Sequence, residues 1–190
     1  MSQIFLHDAS FHLFLNKIDQ EFVEEAKEQR CPCGGHLHQA DYPRSPMGIP
    51  TFLRQWYEKR FSLCCDKCRK RTTPMSVRFF GRRWFPAPWL AFLSILTLGI
   101  NERRLAQVKR YLGMTISEST WKRWRRWWRE SFVITPFWQQ TKGLLVTTSQ
   151  SMTGPFPRVL FDLFQGKGEA KLMSLLRLLA PLTAGVLRAV

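Results

Sequence analysis

Residues 31–80 carry too little apolar sequence to hold together on a core of their own, and the cysteines of the chain all fall inside that stretch. Prolines at 32, 43, 46 and 50 and glycines at 34, 35 and 48 break any helix there. Short runs at 36–40, 60–63 and 77–80 suit strands. A segment of loops and short strands needs a staple, and Cys31, Cys33, Cys64, Cys65 and Cys68 are placed to supply one. Cys65-x-x-Cys68 has the spacing of a metal knuckle, in which two intervening residues let backbone amides approach the thiolates. Cys31-x-Cys33 is tighter, but Gly34 and Gly35 follow it and tolerate the positive φ that such a turn requires. The expectation is a structural site of four thiolates, Cys31, Cys33, Cys65 and Cys68, around Zn2+. Cys64 is the alternative to Cys65, and His36 or His38 the alternative to Cys33. Four thiolates leave no open coordination position, so a catalytic zinc is disfavoured.

Five cysteines cannot all pair within one chain, which disfavours a disulfide scaffold. The first 30 residues hold Asp8, Asp19 and four glutamates, with no apolar core behind a basic start. Both observations point to a reducing compartment and a cytoplasmic protein. Residues 87–100 are too short an apolar run to span a bilayer, and 172–190 are interrupted by Arg177, Pro181 and Arg188. Both read as buried helices, so no membrane role is expected.

The chain of 190 residues has a formal net charge of +15, and its distribution is uneven. Residues 54–129 hold nineteen Lys/Arg against four Asp/Glu, and the rest of the chain is balanced. A segregated basic block attracts polyanions and releases their counterions, which favours a nucleic-acid partner.

Helical periodicity surrounds the loop-rich stretch. Residues 9–29 form an amphipathic helix with Phe11, Phe14, Ile18 and Phe22 on one face and acids at 19, 21, 24, 25 and 28 on the other. Further helices are expected from Trp89 to about Gly99, from Glu102 to Leu112, and from Ser117 to Phe132. Residues 133–157 read as irregular, with a linker over 147–157. A short helix near 157–165 and a longer one from 169 to about 188 close the chain. The expected fold class is α+β: a zinc-ribbon-like small β module (31–85) followed by a helical helix-turn-helix domain (86–132). An N-terminal helix (1–30) and a linker with C-terminal helices (133–190) flank them.

On the helix of residues 117–132, Trp121, Trp124, Trp128 and Phe132 share one face at 100° per residue. Ser119, Lys122, Arg126 and Arg129 lie well away from it, with Arg123 at the edge. Such a helix holds its scaffold with one stripe and offers the other to the major groove of double-stranded DNA. Arg69, Lys70, Arg71, Arg78, Arg82 and Arg83 are expected on phosphates, giving affinity without sequence choice.

The succession CPCGG (31–35), RFSLCCDKCRKRTTP (60–74), an apolar helix opening at Trp89 and LGMTISESTWKRW (112–124) resembles the zinc-ribbon plus helix-turn-helix front end of insertion-sequence transposases. With TTPMSVRFFGRR (72–83), WKRWRRWW (121–128) and LLRLLAPLT (175–183) added, it is similar to a group of small bacterial proteins of mobile-element type. The front-end resemblance covers residues 31–130. It implies Cys31, Cys33, Cys65 and Cys68 as metal ligands and residues 119–126 facing DNA. Transposases of this kind add a nuclease domain with three carboxylates, whereas after Glu130 this chain has only Asp162 and Glu169. The expectation is therefore not an enzyme but a DNA-binding accessory or regulator of a mobile element, with a transposase or integrase as further partner. The alternatives are a protein-binding zinc adaptor, the DNA-binding part of a partner-dependent transposase, and a binder of single strands.

Overall fold

The computed structural model describes residues 4–46, 49–80, 85–95, 102–112, 115–146 and 155–185. It is an α+β protein of helices and small antiparallel sheets, in two compact units. The first comprises residues 1–88 and 176–190, the second residues 89–175.

The first unit opens with a 3-10 turn, Ile4–His7, and α1, Ala9–Gln29. Asp8 caps α1, its carboxylate accepting from the Ser10 amide at 2.9 Å. Seven short strands follow among the described residues: β1 (Leu37–Gln39), β2 (Tyr42–Pro43), β3 (Lys59–Arg60), β4 (Leu63–Cys65), β5 (Arg71–Thr72), β6 (Phe79–Phe80) and β7 (Phe85–Pro86). They form an antiparallel sheet in the order β1-β4-β5 and two strand pairs, β2-β3 and β6-β7. The stretch expected as one strand over 60–63 divides between β3 and β4. A six-residue 3-10 helix, Thr51–Trp56, lies between β2 and β3.

Helix α1 shares its core with the strands. Val23 belongs to one buried cluster with Cys31, Leu37, Phe61, Leu63 and Cys65, and Ala26 and Cys68 pack against it. His12 is fully buried on the same helix; its Nδ1 lies 2.8 Å from the Tyr57 hydroxyl and its Nε2 3.0 Å from the Leu6 carbonyl. The buried stripe, Phe11, His12, Leu15, Ile18, Asp19 and Val23, is turned from the expected one, and Phe22 is only partly buried. Phe14 is half exposed, and Asp19, expected on the solvent face, is fully buried.

Asp19 is inside because Arg78 is. The carboxylate accepts from Arg78 Nε at 2.8 Å, from the Val77 amide at 2.7 Å and from the Ser76 hydroxyl at 2.5 Å. This corrects the reading of Arg78 as a phosphate contact: its side chain is 2% exposed and its charge is matched internally. Arg60 is buried as well, donating to the carbonyls of Phe61, Pro74 and Thr183. Two of the nineteen cations in the basic block therefore hold the fold. Thr183 receives the Ser76 amide at 2.7 Å, and Gly185 bridges Thr73, so the end of the described chain is tied to this unit.

The second unit is helical. Helix α2 runs Ala87–Ile95, opening two residues before Trp89, and is apolar all round, as a buried helix must be. Then come α3 (Glu102–Leu112) and α4 (Glu118–Arg126). The expected single helix to Phe132 changes its hydrogen-bond spacing instead: a π-helical turn, Trp127–Ser131, follows α4, and a 3-10 turn, Phe132–Ile134, follows that. Residues 136–146, read as irregular from the sequence, form α5 (Pro136–Val146). Pro136 suits the first turn of a helix, the Thr135 hydroxyl accepts from the Trp138 amide at 3.1 Å, and Trp138 joins Phe132 and Phe156 in an aromatic cluster. Helix α6 (Arg158–Leu163) precedes α7 (Gly168–Leu179), which carries the chain back into the first unit and ends in a 3-10 turn, Ala180–Thr183, rather than running on to 188.

Candidate metal centre and basic helix face

Two tight turns bring four sulfurs together. In the first, the Gly34 amide donates to the Cys31 carbonyl at 2.8 Å, and the Cys31 amide to Gly35 at 3.1 Å. In the second, the Arg69 amide donates to the Cys65 carbonyl at 3.1 Å, and the Cys65 amide to Lys70 at 3.0 Å. Gly34 (φ 81°) and Arg69 (φ 58°) take the left-handed conformation that lets each turn close. The antiparallel pairing of Leu37 with Cys65 sets the two turns side by side.

The Sγ atoms of Cys31, Cys33, Cys65 and Cys68 all lie within 4.8 Å of one another. Cys31 and Cys68 are 3.6 Å apart, Cys33 and Cys65 3.4 Å. Sulfurs held 2.3 Å from a central ion in a tetrahedron would be about 3.8 Å apart. The donor set therefore fits a thiophilic, four-coordinate metal ion. Amides of Cys33 and Gly35 hydrogen-bond the first pair of sulfurs, and the Cys68 amide lies 3.4 Å from Cys65 Sγ. These donors stabilise thiolates. The Gly35 amide, and after it the surrounding thiols, pull the Cys33 thiol down to about 6. For Cys31 the Cys33 amide acts in the same direction, but bonding with the other thiols and burial outweigh it and push the group up to about 12. One proton thus leaves this cluster easily and the next with difficulty, unless a cation takes its place.

Cys64 is not part of the cluster. Alternation along β4 turns it away from Cys65, and its thiol lies 3.6 Å from the Arg69 carbonyl. His36 and His38 are exposed, with His38 Nε2 3.7 Å from Asp66. One residue that the sequence reading did not single out, Asp66, completes the site. The Asp66 carboxylate accepts from the His36 amide at 2.9 Å and so joins the two turns. Gly35, expected beside Gly34 at positive φ, does not take that conformation and is needed for closeness instead: a Cβ there would sit 2.5 Å from Cys65 Sγ.

The other candidate residues fall into two groups. On α4, Trp121 and Trp124 are buried, as are Trp128 and Phe132 beyond it, while Ser119, Lys122, Arg123, Arg126 and Arg129 are exposed. Ser117 caps the helix, its hydroxyl accepting from the Thr120 amide at 3.2 Å. Lys122 Nζ lies 2.7 Å from Glu118, Arg126 Nε 3.9 Å from Glu130, and Arg123 donates to the Thr120 hydroxyl at 3.3 Å. Arg69 and Arg71 are exposed in the first unit. Arg71 is held in place, its guanidinium 4.6 Å from the centre of the Tyr42 ring and donating to the Ala40 carbonyl at 3.2 Å. Arg82 and Arg83 lie outside the described residues. Asp162, one of the two carboxylates after Glu130, is bound by Arg158 at 2.6 Å. Among the described residues, no helix is long and apolar enough to cross a membrane.

Comparison with known protein families, with curated proteins and with solved structures finds no match.

Proposed function

We propose that this protein binds double-stranded DNA, with Zn2+ in the four-cysteine site as a structural staple and α3–α4 as a helix-turn-helix. The observation that carries the reading is the division of α4 and the turn after it. Four aromatic side chains are buried on one side, and one hydroxyl and four cations, Ser119, Lys122, Arg123, Arg126 and Arg129, are exposed on the other. A recognition helix needs this division, because base edges are read by side chains that the core does not claim. Burial of Trp121, Trp124 and Trp128 favours duplex over single strands, since these rings are not available for stacking on bases. Arg69 and Arg71 would contact phosphates. The fork of Arg71, already ordered on Tyr42, loses less freedom when it binds one.

Four thiols within 4.8 Å of one another favour Zn2+, which binds thiolate strongly and takes four such ligands. The antiparallel sheet beneath the two turns is the support that a zinc ribbon would have. All four donors come from the protein, so the ion would supply fold stability and no open position for chemistry. In the cell this reading corresponds to an accessory or regulator of a mobile element, acting in the cytoplasm beside a transposase or integrase. Fluorescence anisotropy with duplex and single-stranded oligonucleotides at stated salt tests it. Binding to duplex is expected to be the tighter. Equal or tighter binding to single strands would reject the major-groove arrangement.

A further inference from the structure

The exposed face of α4 is not simply basic. Its two central cations are each paired with a carboxylate from the same face, Lys122 with Glu118 at 2.7 Å and Arg126 with Glu130 at 3.9 Å. Arg123 and Arg129 have no acidic partner among the described residues. Helix stability does not account for both pairs. Glu118 precedes its lysine by four residues and sits in the first turn, where both the pairing direction and the helix dipole favour it. Glu130 follows its arginine, in the π-helical turn that continues α4 towards its C-terminal end, where the helix dipole disfavours a negative charge and the pairing order is the weaker one. All four side chains are at least half exposed, so neither pair contributes much to folding.

We propose that Glu118 and Glu130 are specificity-determining residues, holding Lys122 and Arg126 back from phosphate while leaving them free to bind an uncharged acceptor on a base edge. The inference rests on the DNA-binding reading above. The physical basis is the difference between the two competitors for each cation. When Lys122 or Arg126 turns to a phosphate, its former carboxylate is left beside a negative charge, and the exchange is opposed by repulsion. When the same cation turns to guanine O6 and N7, the acceptor carries no net charge and the carboxylate beside it is tolerated. The carboxylates therefore weaken sequence-independent binding more than binding at a matched site, which is discrimination by an introduced repulsive element. Arg123 and Arg129, without such partners, supply contacts to any phosphate backbone.

The test uses the full-length protein with its metal and two probes: a short duplex of random sequence, and the duplex most enriched by the wild-type protein from a random pool. Binding is measured over a series of salt concentrations for Glu118→Gln, Glu130→Gln and the double variant. Each substitution keeps side-chain volume and removes one charge. The double variant should bind the random duplex roughly three- to tenfold tighter and steepen its salt dependence by about 2 in slope, one counterion-equivalent per carboxylate. Affinity for the selected duplex should rise less, so that the ratio between the two falls. Glu118→Asp with Glu130→Asp, which keeps both charges, should restore the ratio. Thermal melts of each variant separate this from a structural role. Unchanged or weaker random-duplex binding by the folded double variant overturns the proposal and leaves the DNA-binding reading intact. A wild-type protein that binds neither duplex overturns both.

Discussion

Asp19 and Arg78 form an ion pair at 2.8 Å with both side chains shut off from solvent, and so join α1 to the chain just before β6. The remaining carboxylate bonds are made to the Val77 amide and the Ser76 hydroxyl, so the acid is fully engaged. Such a pair is weak evidence of net stability, but breaking it is costly because the surviving charge stays buried. Asp19→Asn should lower the unfolding free energy by about 3–5 kcal/mol, read as a shift in urea midpoint. Loss of DNA binding in Arg78→Gln should then follow the fraction unfolded. If Arg78→Gln remained folded and lost affinity as an exposed arginine would, the internal role assigned to Arg78 would be wrong.

The candidate metal site sets individual thiols apart. Cys68→Ser should abolish metal retention and the order of residues 31–72, whereas Cys64→Ser should keep both, since Cys64 stands outside the sulfur cluster. Gly35→Ala should behave like the ligand variant, because its methyl group would occupy space held by Cys65 Sγ. Elemental analysis of protein purified without chelator, with a thermal melt before and after chelation, decides these cases. Structural zinc contributes on the order of 10 kcal/mol to small domains, so chelation should unfold the segment rather than loosen it.

Acid should destabilise the protein through His12. Burial lowers its pKa to about 4, from an ordinary value of 6.5, and its two ring nitrogens are already engaged by Tyr57 and Leu6. Between these values the unfolded chain binds more protons than the folded one, so stability falls as pH falls. The contribution is fully present above pH 6.5 and is lost progressively towards pH 4, reaching about 3 kcal/mol. Protonation of the Cys33 thiol, whose pKa is lowered to about 6, acts in the same direction, so wild type is compared with His12→Gln at each pH. The difference in urea midpoint between the two should narrow as pH falls from 6.5 to 4. A constant difference would show that His12 is not the titrating group.

What the sequence made legible followed from local pattern. The spacing of Cys65 and Cys68 and the positive φ of Gly34 are features of single turns, and the apolar period that runs from Trp121 and Trp124 to Trp128 in the following turn is a feature of one continuous helical stretch. The parts that were not legible depend on partners distant in the chain. Asp19 reads as a surface acid until Arg78, 59 residues later, is placed against it. The same holds for Arg60, whose acceptors include a carbonyl 123 residues away, and for Arg71, ordered by a tyrosine on another strand. Helix α5 is a different case. Thr135 and Pro136 are a local start signal, but the polar residues around them lack the apolar period that marks a helix, and only the contacts of Trp138 show what it packs against.

On the proposed DNA-binding surface, cations that read bases should be separable from cations that hold phosphates. Binding should weaken steeply with salt, and each phosphate contact removed should lower the slope by about 1. Lys122→Ala and Arg126→Ala should each cost roughly 1–3 kcal/mol at a selected site if their side chains meet base edges, and less on random sequence. Arg71→Ala should instead weaken every duplex alike, because a phosphate is the same wherever it stands. Tyr42→Leu should reproduce part of that loss by freeing the guanidinium, while Tyr42→Phe keeps the ring under Arg71 and should bind as wild type does. Trp124→Ala removes a buried side chain and should unfold α4, so its loss of binding reports on packing alone. Competition binding with selected and random duplexes at several salt concentrations distinguishes these outcomes. Equal losses on both probes for Lys122→Ala and Arg126→Ala would place those residues on the backbone and transfer sequence reading to another part of the surface.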